Sequence, residues 1–239
     1  MKRTKLLTRF VLVPVVMALA VAGCASNGGT SSNGSSSRAI ADDGRKIDIG
    51  HATAAPGGGM NYRNPHMEKC WVADGFNFNG YDTLYIAPTL STATFPTEKP
   101  EDVKVHDLAK ENLVTELARQ IKSRNIFTNV VTRESDIKPG AKALKLENTI
   151  TEFSKGGGAA RYFAGLYGGG QPVLRVAGAM SESDKPLFTY EARRSGVSAG
   201  ARMSGALLRD EDIQTQDIRS MALDLADFMS VTAGKFPRR

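Results

Sequence analysis

The sequence predicts an α/β (α+β) domain: a mixed β-sheet of about five strands with two main helices packed on one face. Three observations carry this expectation. Near the C-terminus Ile218, Met221, Ala222, Leu225, Phe228 and Met229 recur at i, i+3, i+4, i+7, i+10 and i+11, which places them on one face of a helix. From Ala143 to Phe153 apolar and polar residues alternate, the two-residue period of a strand with one wet face. A short β-rich run, Tyr81 to Pro88, precedes a helical pattern and a second β-branched run, the order of a β-α-β crossover.

Taken in order, the Tyr81 run is stopped by Pro88 and reads as a buried strand. A polar loop with Pro96 and Pro100 follows. From about Glu101 to Arg124, Leu113, Leu117 and Ile121 repeat at i, i+4 and i+8, with Val114 and Ala118 beside them and Lys110, Glu111, Arg119 and Lys122 as the polar remainder. Ile126 to Thr132 is the β-branched strand, and Pro139-Gly140 a turn. In the next strand Leu144, Leu146 and Ile150 face one way, and Lys145, Glu147, Thr149 and Thr151 the other. Val173–Met180 and Leu187–Arg193 alternate again and read as a hairpin joined by a five-residue loop, Ser181 to Lys185. Leu174, Val176, Met180, Phe188 and Tyr190 are its inward residues. The last helix has Asp210, Glu211 and Asp212 at the positive end of its dipole and Gly234 at its exit. Asp217, Asp224 and Asp227 fall opposite its apolar stripe and read as a solvated face.

The N-terminus reads differently. Lys2, Arg3, Lys5 and Arg9 precede the apolar run Phe10–Val21, which is shorter than the about 20 residues that cross a bilayer. Small residues lead to Ala22-Gly23-Cys24, so the segment reads as a secretory signal. The domain plan is therefore residues 1–23 as signal peptide, 24–70 as a lipidated N-terminus and flexible Ser/Gly-rich tether, and 71–239 as a single α/β domain. A tether of this composition cannot bury enough apolar surface to order itself, and as a coil it spans roughly 35–40 Å. The formal net charge of +6 is mostly the signal: four of the 31 Lys and Arg residues lie in residues 1–23, which hold no acid. No basic stripe remains, and Arg193-Arg194 and Arg238-Arg239 are too short to make one, so a nucleic-acid partner is not expected. His51, His66 and His106 are too scattered for a zinc site, and no cofactor is expected. With Cys24 set aside, Cys70 has no intramolecular partner, and next to Trp71 it reads as a buried thiol.

Two motifs compete for chemistry. Gly156-Gly157-Gly158 and Gly168-Gly169-Gly170 bracket an aromatic segment with Arg161, Tyr162, Phe163 and Tyr167. Glycine permits positive φ and close backbone approach. The segment reads either as a wide connection or as a loop that binds a partner or small ligand through these four residues. It fits no phosphate-loop spacing, because Arg161 stands where a third glycine is required. Gly196-Val-Ser198-Ala-Gly200 matches G-x-S-x-G, the turn that presents a nucleophilic serine. Every histidine lies upstream of Ser198, and no Asp-Gly pair follows it for a patatin-like dyad, so a small serine hydrolase is the alternative and not the leading reading. No catalytic residue and no metal ligand is assigned.

Ala-Gly-Cys resembles the lipobox of bacterial lipoproteins, which implies lipid on Cys24. By the usual sorting pattern, Ala25 in place of Asp after the cysteine implies the outer membrane, facing the periplasm. The stretch TITEFSKGGGAARYFAGLYGGGQPVLRV, together with YDTLYIAP and the Ser/Gly linker, resembles a domain-of-unknown-function family of bacterial lipoproteins, DUF 4410, over about residues 71–235. The resemblance implies a non-enzymatic lipoprotein of uncharacterised role, anchored to membrane lipid through Cys24, with an envelope protein or a second copy of itself as partner.

Overall fold

The computed structural model describes residues 36–40, 46–157, 170–196 and 209–235. Their elements run β1 (Ser36–Ile40), β2 (Lys46–Ala54), β3 (Met60–Arg63), β4 (Lys69–Val72), β5 (Thr83–Ile86), β6 (Leu90–Ser91), α1 (Pro100–Ser123), β7 (Asn129–Val131), β8 (Ala143–Ser154), β9 (Val173–Glu182), β10 (Lys185–Arg194) and α2 (Asp210–Thr232). Nine strands follow the order β1-β2-β3-β4-β10-β9-β8-β5-β7, and the short β6 pairs with β8. β5 runs parallel to both β7 and β8, and the long β8-β9-β10 meander is antiparallel. The class is α+β with a mixed sheet and two helices, as the sequence predicts.

The strand count of about five is corrected to ten among the described residues. The difference lies mainly before residue 71, where composition predicts a tether. β4 lies along β10, with Trp71 opposite Thr189, and β3 and β2 add outward from it. β3 and β4 are four residues each and β2 lies in a Gly- and Ala-rich stretch, so the β signal is local and weak; the neighbouring ladder supplies the partners. Ile47 and Ile49 alternate into the core around Asp48, whose carboxylate caps the Gly50 N–H at 2.8 Å. Cys70 is buried and unpaired, and burial pushes its thiol well above the ordinary range.

The hairpin loop is also shorter than expected. β9 and β10 extend to Glu182 and Lys185, leaving a two-residue turn. Ser183 and Asp184 both have positive φ, at 47° and 66°, the twist that suits a tight hairpin.

Pro100 begins α1 with Glu101 and Asp102 in its first turn, and Lys122 sits in its last. Its buried stripe is Val105, Ala109, Leu113, Leu117 and Ile121. α2 ends where Gly234 turns to φ 64° and Lys235 N donates to Ser230 O, satisfying carbonyls the helix leaves open. The helices run parallel: pairs along them, Glu116 with Arg219 and Arg124 with Asp227, keep one offset. Both pack on the sheet face formed by Leu84, Ile86, Leu144, Leu146, Ile150, Val176, Met180 and Phe188. The expected inward residues of β8, β9 and β10 are all buried.

Candidate binding site

Cys24, Arg161, Tyr162, Phe163, Tyr167 and Ser198 lie outside the described residues. What is described is where the chain departs toward the last five. Gly157 N donates to Gly170 O at 2.9 Å, closing the ends of β8 and β9 on each other. Gly156 has φ 80°, and a Cβ there would stand 2.7 Å from both Gly170 O and Pro172 N, so glycine is required. Gly196, just past β10, donates its N–H to Asp217 Oδ2 at 2.8 Å. Gln214 Nε2 donates to Ser154 O at 3.2 Å. Asp217 and Gln214 stand one turn apart on α2, so one helix face ties down both departure points.

The acidic face of α2 is therefore not solvated. Asp217 and Asp227 are 1% and 2% exposed, and the Asp224 side chain is 13% exposed. Each carboxylate meets a partner distant in sequence: Gly196 N–H for Asp217, Arg194 for Asp224 and Arg124 for Asp227. Burial raises the Asp217 carboxyl above its usual value, against the Gly196 hydrogen bond and Arg194, which pull it down. Buried carboxylates on a helix are stable only when so met.

Beside this end of the sheet lies a cleft of about 540 Å³ between residues 64–68 and α2, lined by Asn64, His66, Glu68, Arg193, Arg194, Ser220 and Asp224 among others. Successive residues of a strand face opposite sides, and Arg193 and Arg194 divide accordingly. Arg194, 7% exposed in its side chain, turns to α2 and donates to Asp224 Oδ2 at 2.6 Å, to His66 O at 2.8 Å and to Arg193 O at 3.0 Å. It pins the β3–β4 connection to the helix. Arg193 turns the other way and grips Glu152 through Nε and Nη2, at 3.1 and 3.2 Å. That contact holds the Glu152 carboxyl below the usual range. Arg175 links Glu152 to Glu68, and His66 Nδ1 stands 3.8 Å from Asp224. The sequence shows the arginine pair but not this division of labour, because the partners come from three other elements. Strand alternation is the signal that could have found it.

A second polar contact was not legible either. His106 of α1, buried, shares a 2.9 Å hydrogen bond through Nε2 with Ser91 Oγ, stacks on Phe95 at 4.4 Å and meets Phe153 edge-on at 4.9 Å. Burial lowers the imidazole below its ordinary value. It anchors β6 to α1. Among the described residues no group of three or more His, Cys, Asp or Glu side chains could hold a metal ion, and no helix is long and apolar enough to cross a membrane.

No family model matches the chain, so the resemblance drawn on the glycine-rich stretch stands without that support. No curated protein matches it either. Solved structures do. A PelC dodecamer from Paraburkholderia phytofirmans is 14% identical, with 65% of this chain and 96% of that chain covered and a TM-score of 0.41. Protein XCC0632 from Xanthomonas campestris, described under the label DUF330, is 12% identical, with 68% and 91% covered and a TM-score of 0.39.

Proposed function

We propose that the chain is a lipid-anchored cell-envelope lipoprotein whose domain is a non-enzymatic binding or assembly module. It faces the periplasm from the outer membrane, and its likeness to DUF 4410 belongs to this reading. The observation that carries the binding role is the convergence at one end of the sheet. The glycine-bracketed segment leaves at Gly157 and returns at Gly170, the chain leaves again at Gly196, and all three points are tied directly or through neighbours to Asp217 and Gln214 of α2. Rigid elements that hold the roots of connecting segments are the arrangement in which such segments carry recognition. Arg161, Tyr162, Phe163 and Tyr167 are the contact residues in this reading, and Cys24 carries the lipid.

A photo-cross-linking residue placed at Tyr162 or Tyr167 in cells should give a discrete adduct, with an envelope protein or with a second copy of the chain. A matched residue at exposed Glu98 should not. Absence of any adduct, or the same adducts from both positions, overturns the binding role. Cys24→Ala should move the chain from the detergent phase to the aqueous phase; unchanged partitioning removes the anchor. Fluorophosphonate labelling that Ser198→Ala abolishes would replace the non-enzymatic reading with a serine hydrolase.

A further inference from the structure

We infer that the sheet face opposite the helices, around Arg63, Lys69 and Trp71, docks on the anionic phospholipid headgroups of the bilayer that anchors the chain. The inference rests on the lipid at Cys24 proposed above and adds which side of the domain meets that bilayer.

Eleven residues separate Cys24 from Ser36, where β1 begins. Such a link reaches at most about 40 Å, and as a coil it spans roughly 20 Å. A domain of about 200 residues is about 40 Å across, so the anchored domain stays within its own width of the lipid. Ser36 stands opposite His51, and His51 opposite Arg63, so the link joins the sheet at this row. The neighbouring pair, Ala52 and Tyr62, faces the helices, where Tyr62 meets Phe228 edge-on at 5.1 Å. Cys70 and Val72 are buried on that same side. Strand alternation therefore sends His51, Arg63, Lys69 and Trp71 to the opposite face. His51, Arg63 and Lys69 are exposed there, and Trp71 is half-buried. The indole is held in place by its Nε1–H, which donates to Gly58 O at 2.9 Å. A ring with an apolar body and a polar N–H suits the headgroup layer. Leu90, 63% exposed, lies on the same face opposite Thr149.

Charge separates the two sides of the domain. The helix layer is acidic: α1 carries five Asp and Glu against four Lys and Arg, and α2 six against one. An anionic surface repels that side. On the opposite face Lys69, Lys145, Arg175 and Arg193 are met by Glu191, Glu147, Glu68 and Glu152. Arg63 has no ion pair among the described residues, and it stands in the row where the link joins. One spare cation attracts anionic lipid only weakly. The anchor makes the encounter intramolecular, however, so a weak attraction is enough to decide which side turns to the bilayer.

Trp71 is the single tryptophan of the chain, so its fluorescence reports this face alone. The lipidated chain is reconstituted into phosphatidylcholine vesicles with and without phosphatidylglycerol, each carrying a headgroup spin-labelled lipid as quencher. Flotation reads the anchor, and quenching reads the face. The chain should float with both compositions. Quenching should be at least twofold stronger with phosphatidylglycerol and should fade as salt is added. Arg63→Glu should lower it at least twofold while flotation and the urea midpoint stay near those of the parent chain. Should that variant fail to fold, Arg63→Gln should lower quenching in the same direction. Trp71→Phe combined with Glu111→Trp moves the reporter to the exposed side of α1, and quenching should be at least twofold weaker. Failure to float overturns the anchor and this inference with it. Three results overturn the docking alone while the chain still floats: an unquenched Trp71, quenching indifferent to phosphatidylglycerol or to Arg63→Glu, or a Trp71 equally shielded from dissolved acrylamide in detergent and in vesicles, as a second copy on this face would shield it.

Discussion

Replacing Arg194 with methionine tests how much of the cleft's architecture rests on one guanidinium. The side chain is 7% exposed and its main partner Asp224 13%, so the pair is shielded from solvent screening. Removing one partner of such a pair costs about 3–5 kcal/mol, because the other charge stays buried. The hydrogen bonds to His66 O and Arg193 O add about 1 kcal/mol each. Two effects work the other way: methionine keeps the apolar stem packed, and Asp224 can take a proton. We therefore expect a loss of about 3–4 kcal/mol at pH 7.5, a large share of the 5–15 kcal/mol typical of a domain. Burial already raises the Asp224 carboxyl above its usual value, against the pull of His66 and Arg194. Without Arg194 it rises further. A carboxyl whose folded value lies above its unfolded one holds its proton longer in the folded state, so the penalty appears as pH rises through that interval and fades below it. Urea unfolding at pH 5 and pH 7.5 should show the smaller loss at pH 5. Adding Asp224→Leu should restore about 2 kcal/mol by removing the stranded charge. A single variant within 1 kcal/mol of the parent at pH 7.5, or a double variant no more stable than the single, would refute the reasoning.

Two further outcomes follow from other contacts. His106 is held below its ordinary value of 6.5, so the unfolded chain takes up the proton first; stability should be complete above that value and fall as pH drops through the interval beneath it. Thermal melts between pH 8 and pH 5 should show this slope, and His106→Phe should flatten it. At Gly178 a Cβ would sit 2.1 Å from Tyr190 Cε1 and 2.8 Å from Asn148 Oδ1, in a buried cluster where Tyr190 donates to that oxygen at 2.8 Å. Gly178→Ala should cost about 1–3 kcal/mol by overpacking, although alanine is the better strand residue. A urea midpoint equal to the parent's would show that the ring moves aside freely.

What the sequence revealed depended on whether a residue's environment lies within its own element. The stripe Ile218 to Met229 and the alternation of Leu144, Leu146 and Ile150 are periodic, and periodicity needs no knowledge of neighbours. The burial of Asp217, Asp224 and Asp227 is hidden for the complementary reason. Helix spacing placed them off the apolar stripe, but only Gly196, Arg194 and Arg124, brought together by the tertiary fold, show that this side is covered as well. The strands β1–β4 are not legible because the ribbon they form joins the sheet only through β4, whose partner β10 lies more than a hundred residues on, while the Ser-, Gly- and Ala-rich sequence around β1–β3 favours coil. Ser183-Asp184 was hidden inside a longer polar run, since nothing in its composition says which two residues turn. In the cleft, the sequence shows the pair Arg193-Arg194 only as a short basic pair. The chemistry lies in their pointing to opposite sides.

The parallel course of α1 and α2 has an electrical consequence. Antiparallel helices set opposite dipole ends side by side and largely cancel, whereas here the two positive ends lie toward the same end of the domain, α2 starting about two turns in from the start of α1. Each contributes about half an elementary charge at its N-terminus, so about one full positive charge gathers at one end of the domain. The chain answers with Glu101 and Asp102 on one helix and Asp210, Glu211 and Asp212 on the other. Five carboxylates exceed what the backbone field neutralises, and Lys155, 2.9 Å from Asp102 and 3.7 Å from Glu101, draws on the surplus from the end of β8. The domain is thus a polarised body along its helix axes, and its acidic first turns are the counter-charge that lets two aligned helices lie together.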